Sequence, residues 1–193
     1  MNSTVENSRL LLVFLLTSII LSILSWTAMP VLKDFYANSN SWLGMHSIIE
    51  LILNPFLHIS ALHLFWNMLI LTFLWANFTS SISAKQILPF FVFIETIQYI
   101  VILSFNQPPT AGISGFVFGI FGYMLISYIR QKNPEYKGIL FFAFLSFILS
   151  SHQDPETQVR TSSLGHVSGF TLWIIWAVAE ALVKKVASGM KKE

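Results

Sequence analysis

The chain has no cysteine. That absence excludes disulfides, thiolate-bound zinc and cysteine nucleophiles together, and it carries no information about redox compartment. Charge is scarce as well. Asp, Glu, Lys and Arg make up 10% of 193 residues, where a soluble domain carries about 25%. A formal net charge of +2 is too small for a nucleic-acid surface. No H-E-x-x-H string occurs, and His58 and His63 are five apart, which disfavours a zinc protease. No internal repeat, low-complexity tract or second domain is visible, so one domain over residues 1–193 is expected.

Apolar residues fill the space that charge leaves. They make up 54% of the chain and fall into long runs. Crossing about 30 Å of hydrocarbon takes roughly 20 apolar residues in a helix. Residues 10–29, 62–80, 87–105, 113–129 and 164–183 meet that need. A sixth run, residues 138–151, is short at roughly 21 Å of helix, but Ile139–Leu149 is continuously apolar between polar flanks. The expected fold is an all-α membrane bundle of six spans. The first apolar run is long and no A-x-A cleavage site follows it, which predicts an uncleaved anchor.

Charge placement predicts orientation through the positive-inside rule. With the N-terminus inside, Arg9, Lys85, Arg130, Lys132, Lys137, Lys184, Lys185, Lys191 and Lys192 are all cytoplasmic. Only Lys33 and Arg160 then lie outside. Both termini are therefore expected on the inner side. Spans two, four and six then start at the outer face. The longest connection, residues 30–61, contains Trp42, His46, Ile48, Ile49, Leu51, Ile52 and Phe56 among few charges. Such a segment is expected to lie in the membrane interface.

Polar groups inside spans are costly, so each calls for a partner or a purpose. His63 and Asn67 share one face at the opening of span two. Ser114, within Gly112-Ile-Ser-Gly115, opens span four, and His166, within Gly165-His-Val-Ser-Gly169, opens span six. The topology puts Ser114, His166, His63 and Asn67 at one depth. Gly115 with Gly119, and Gly165 with Gly169, have the four-residue spacing that lets helices approach closely in lipid. If those stripes face each other, Ser114 and His166 meet at the mouth of the contact. Imidazole is a suitable base for a serine hydroxyl near neutral pH. Free backbone N–H groups at the helix start, with His63 and Asn67, would hold the resulting oxyanion. On pattern alone, catalysis stands level with transport or structural packing. A polar path through Glu95, His63 and Asn67 would serve a small transporter, although no duplicated half is visible. Glu95, with Gln98, forms a polar patch in span three, closer to its inner end.

Three motifs taken together resemble the rhomboid intramembrane proteases. They are H-x-x-x-x-H-x-x-x-N (His58, His63, Asn67), G-x-S-G (Gly112, Ser114, Gly115) and G-H-x-x-G (Gly165, His166, Gly169). Their order and span placement match that family from about residue 9 to 185. The resemblance implies a Ser114–His166 dyad without a catalytic carboxylate, needing no cofactor and no metal. It implies an oxyanion hole from Ser114, His63 and Asn67, supported by Gly112, Gly115, Phe118, Gly169 and His58. It further implies single-span membrane proteins as substrates, cut near the outer face, and a bacterial-type cell membrane with an extracytoplasmic site. A mobile gate would correspond to span five and residues 151–163. Phe118 stands where the family often has tyrosine, which keeps stacking on the histidine and loses a hydroxyl. The family's Trp-Arg pair is missing from the first loop. An inactive, client-binding relative is the other reading within the family.

Overall fold

The computed structural model describes residues 3–37, 45–79, 84–105, 109–131 and 162–189, with positions 138 and 141. Six helices are formed there: α1 (Ser3–Trp26), α2 (Met45–Leu53), α3 (Ala61–Thr79), α4 (Ala84–Ser104), α5 (Ser114–Gln131) and α6 (Ser163–Gly189). Two 3-10 turns, Pro30–Phe35 and Asn54–Phe56, flank α2. Helices therefore occupy the five longer apolar runs, with α1 and α6 extending beyond the expected bounds. Of the expected fifth span, residues 138–151, only positions 138 and 141 are among the described residues, and Trp42 lies outside them.

Among the described residues, Val5–Trp26, Ala84–Ser104 and Ser163–Val183 are long and apolar enough to cross a membrane. A fourth crossing results if His46–Phe56 and Ala61–Trp75, which meet at 72°, count as one broken span. The two pieces have different surfaces. On α2, Glu50 is buried while Ile48, Ile49 and Ile52 are exposed, the arrangement of a helix lying against an apolar medium. The bend separates this segment of the first loop from α3.

Sidedness on α1 is inverted relative to a soluble protein. Ser18, Ser22 and Ser25 are fully buried, whereas Leu12, Val13, Leu16, Ile19, Ile20 and Ile23 are exposed. Small polar residues face the protein and large apolar ones face outward, as expected where the surroundings are hydrocarbon.

α5 is the central helix. Every residue from 115 to 122 is buried, and α5 packs on α3, α4 and, most extensively, α6. Phe116, Ile120, Phe121 and Met124 join Phe14 of α1, Leu71 and Leu74 of α3, Ile94 of α4 and Trp173 of α6 in one core. Glycine allows the closest approach. A Cβ on Gly169 would run into the Gly115 carbonyl, so these two backbones touch. The paired stripes meet only in part, however. A Cβ on Gly119 would meet the Trp173 ring and one on Gly122 the Phe170 backbone, while Gly165 faces Ser162 rather than α5.

Candidate active site

Three helix starts converge, two closed by a serine and the third from a neighbouring helix. Ser60 precedes α3 and its Oγ accepts the His63 N–H at 3.3 Å. Ser162 precedes α6 and its Oγ accepts the Gly165 N–H at 3.0 Å. Both are N-cap serines satisfying a donor that the helix cannot. α5 has no such residue, because Ile113 stands at the cap, where its carbonyl accepts the Val117 N–H at 3.1 Å. Glu95 of α4 substitutes for it. Its carboxyl accepts the Phe116 backbone N–H in the first turn of α5, a favourable place for a carboxyl group. Sequence reading put Glu95 nearer the inner end of its span. In the structure Glu95 lies near the middle of α4, and its carboxyl reaches the first turn of α5.

At that level His166 Nε2 lies 2.9 Å from Ser114 Oγ. His166 is buried and Ser114 half-buried. For Ser114 to donate, the imidazole proton must sit on Nδ1. Phe118, one turn along α5 from Ser114, stacks on the imidazole at 4.2 Å between centroids and 19° between planes. Gln98 Nε2 donates to the Gly165 carbonyl at 3.1 Å, which ties α4 to the turn of α6 that carries His166.

The segment leading into Ser114 is held from two sides. Ala37 and Thr110 exchange both backbone hydrogen bonds at 2.9 Å. Asn54 Nδ2 donates to the Thr110 carbonyl at 2.5 Å, and the Asn54 carbonyl accepts the Gly112 N–H at 3.0 Å. Gly112 itself has φ +119°, in the region that favours glycine. A Cβ there would also come within 3.0 Å of the His63 ring. Glycine is needed at this point for both reasons.

His63 and His58 stand beside this turn, with ring centroids 5.2 Å apart. His58 is fully buried and lies between α2 and α3. Its Nδ1 is 3.1 Å from Ser22 Oγ, and its carbonyl accepts Trp26 Nε1 at 2.8 Å and the Tyr36 hydroxyl at 3.1 Å. It therefore joins the first loop to α1. Burial, and then the neighbouring His63, hold its imidazole well below its ordinary range. Asn67 is one turn along α3 from His63, buried, with no hydrogen-bond partner for Nδ2 among the described residues.

A cavity of about 30 Å³ opens beside Ser114, with His63, Gly112, Gly115, Glu95 and Gln98 in its wall. It has room for one or two waters. Of the residues proposed from sequence, Ser114, His166 and Phe118 touch directly, and His63, Gly112 and Gly115 share the cavity. Sequence reading did not assign Asn54 or Thr110 to the site. The Asn-Pro pair at 54–55 in a turn is the one local signal for them.

A family model described as Rhomboid domain matches residues 45–181, which covers α2 through most of α6. No curated protein is similar enough to the chain to count as a match. The match takes in all three motifs and every helix that bounds the cavity, and the chain belongs to the rhomboid family, whose members are generally serine proteases acting within membranes.

Proposed function

We propose that this chain is an intramembrane serine endopeptidase in which Ser114 is the nucleophile and His166 its general base. The observation that carries this reading is the 2.9 Å approach of His166 Nε2 to Ser114 Oγ inside a rhomboid domain. Ser114 Oγ attacks the scissile carbonyl while its proton passes to His166 Nε2. The oxyanion is held by the Ser114 backbone N–H, His63 and the Asn67 amide. Glu95 takes the Phe116 N–H, and the N–H groups of the residues before it in the helix lack an intrahelical acceptor. Collapse breaks the C–N bond, and His166 returns the proton to the leaving amine. Water, deprotonated by His166, then hydrolyses the acyl ester and restores Ser114.

The charge distribution and the resemblance to the family support the rest of the reading. The chain is one domain over residues 1–193 with six spans and both termini inside. α5, at roughly 27 Å, is slightly shorter than the hydrocarbon layer. With Arg130 in its last turn at the inner boundary, Ser114 lies just below the outer surface. Substrates are single-span membrane proteins of a bacterial-type cell membrane, cut near the extracytoplasmic face. A transmembrane helix must unwind before its peptide bond is open to attack, so glycine, proline or polar residues near the cut favour cleavage.

The test is cleavage of a single-span substrate by purified protein in vesicles, with Ser114→Ala and His166→Ala alongside. Both variants should fold and neither should cleave. A fluorophosphonate should label Ser114 in the parent chain. Substantial cleavage by Ser114→Ala would sink the mechanism, and no cleavage or labelling at all would favour a client-binding relative.

A further inference from the structure

Two buried polar side chains of α4, Glu95 and Gln98, stand three residues apart on one face of that helix. Each reaches a different one of the two helices that carry Ser114 and His166. Glu95 accepts the Phe116 backbone N–H, two residues past Ser114 in the first turn of α5. Gln98 Nε2 donates to the carbonyl of Gly165, the residue before His166 in the first turn of α6, at 3.1 Å. The Gln98 amide also lies in the seam between these helices. A Cβ on Gly115 or on Gly169 would run into it, and these are the two glycines at which the α5 and α6 backbones touch. Neither Glu95 nor Gln98 belongs to the three motifs that mark the family.

We propose that Glu95 and Gln98 are positioning residues, which clamp the starts of α5 and α6 in the register that brings His166 Nε2 to 2.9 Å from Ser114 Oγ. The inference rests on the protease reading and adds α4 to it. In lipid no hydrophobic force presses one helix against another, so the register of a pair follows from close packing and interhelical hydrogen bonds. The contact between Gly169 and the Gly115 carbonyl limits how near α6 can come to α5. A glycine surface has no side chain to interlock, so rotation at this level needs a directional hold. The Gln98 amide supplies it for α6, one residue from His166. Ser168 Oγ donates to the same Gly165 carbonyl at 3.0 Å, but it belongs to α6 and cannot tie that helix to another. The Glu95 carboxyl supplies the hold for α5, where Ile113 stands at the cap with no side-chain acceptor. Since both groups sit one turn apart on α4, a shift of either partner helix stretches one of the two bonds. Both bonds are to backbone atoms, so their effect on the reaction passes through the placement of Ser114 and His166. Buried polar groups in a span call for a purpose, and this one is compatible with a protease.

The experiment compares purified parent chain in vesicles with Gln98→Met, Glu95→Leu and Glu95→Gln, well below the melting temperature of each. Three quantities are measured: kcat and KM on one single-span substrate, and the rate at which a fluorophosphonate labels Ser114. Gln98→Met keeps the length of the side chain and loses the donor to Gly165. It should lower kcat by about tenfold or more, with KM within about twofold of the parent. Labelling should slow by a similar factor, because it draws on Ser114 and His166 without a peptide substrate. Glu95→Leu should behave in the same way. Glu95→Gln should recover most of both rates, because its amide oxygen can still accept the Phe116 N–H. If Glu95→Leu does not fold, Gln98→Met decides the matter. Parent rates of cleavage and labelling in Gln98→Met, whatever its melting temperature, overturn the clamp and leave the protease intact. So does a loss confined to KM with labelling unchanged, which marks substrate docking. Glu95→Gln as slow as Glu95→Leu overturns the part assigned to Glu95. No cleavage by the parent, together with no labelling of Ser114, overturns the protease reading and this inference with it.

Discussion

The Phe118 ring lies flat against the His166 imidazole, 4.2 Å between centroids and 19° from parallel. Phe118 is one turn from Ser114 on the same helix, so a single rigid element places both the proposed nucleophile and the ring that packs on its proposed base. In soluble serine hydrolases a buried carboxylate orients the histidine. Here an aromatic face is in van der Waals contact with it.

Removing that face should therefore lower turnover more than it lowers stability. Phe118→Ala is expected to cut kcat by about 10²-fold through a misplaced imidazole, with KM little changed. Phe118→Tyr should stay within about threefold of the parent. Steady-state kinetics on a single-span substrate checks both, and equal losses in the two variants would argue against orientation by stacking.

Asn67 presents a buried Nδ2 with no partner among the described residues. An unpaired buried donor costs about 1–3 kcal/mol, so its retention fits a group that is paired only during reaction. Asn67→Ala should reduce kcat by about 10²-fold or more while leaving the protein as stable as the parent, or more so. A lower melting temperature with unchanged turnover would return Asn67 to a packing role.

The contact between Gly169 and the Gly115 carbonyl leaves no room for a side chain. Gly169→Leu should force α5 and α6 apart, with a cost of several kcal/mol. It should also abolish cleavage, since the Ser114–His166 contact bridges these two helices. Thermal unfolding in detergent measures the first effect. Gly165→Ala is the control, because Gly165 faces the Ser162 side chain at 3.4 Å and should tolerate a methyl group.

His58 is held neutral by burial, so stability should depend on pH in a defined direction. The unfolded chain binds a proton near the ordinary imidazole value of about 6.5, whereas the folded chain does so only well below it. Between those values the unfolded state carries more protons, and stability rises with pH. The contribution is complete above about pH 6.5 and is lost as pH falls below it. Melting temperature measured from pH 7.5 down to 5 should show that decline, and His58→Asn should flatten part of it. An identical slope in the variant would assign the decline to other groups.

Much of the candidate site is legible in the sequence, for a specific reason. Each catalytic candidate stands at the opening of an apolar run, where topology alone fixes depth. Ser114, His166 and His63 each fall within the first four residues of their helices. Phe118 follows from Ser114 by one helical turn. The parts that stayed hidden depend on rotation and register. Nothing in the order of residues says that Glu95 completes the cap of α5, that Gln98 reaches Gly165, or that Gly165 turns away while Gly169 meets Gly115. α2 was not legible either, because the apolar residues Ile48, Ile49 and Ile52 place the segment in the membrane interface without fixing its local structure.

The sequence by itself determined that the chain is helical and suited to a membrane, and it identified the three motifs that mark the family. These are properties of residues near one another along the chain, namely apolar run length, charge placement and motif spacing. Only the tertiary structure decided which polar groups are paired. It matched the Asn54 amide and the Gln98 amide to backbone carbonyls, and it gave Gly112 its positive φ. It also left Glu95 Oε1, Thr110 Oγ1 and Asn67 Nδ2 without a partner among the described residues. Pairing requires atoms within about 3 Å, and a rotation of one residue about a helix axis turns a side chain through about 100°. That rotation is fixed by how the helices pack against each other.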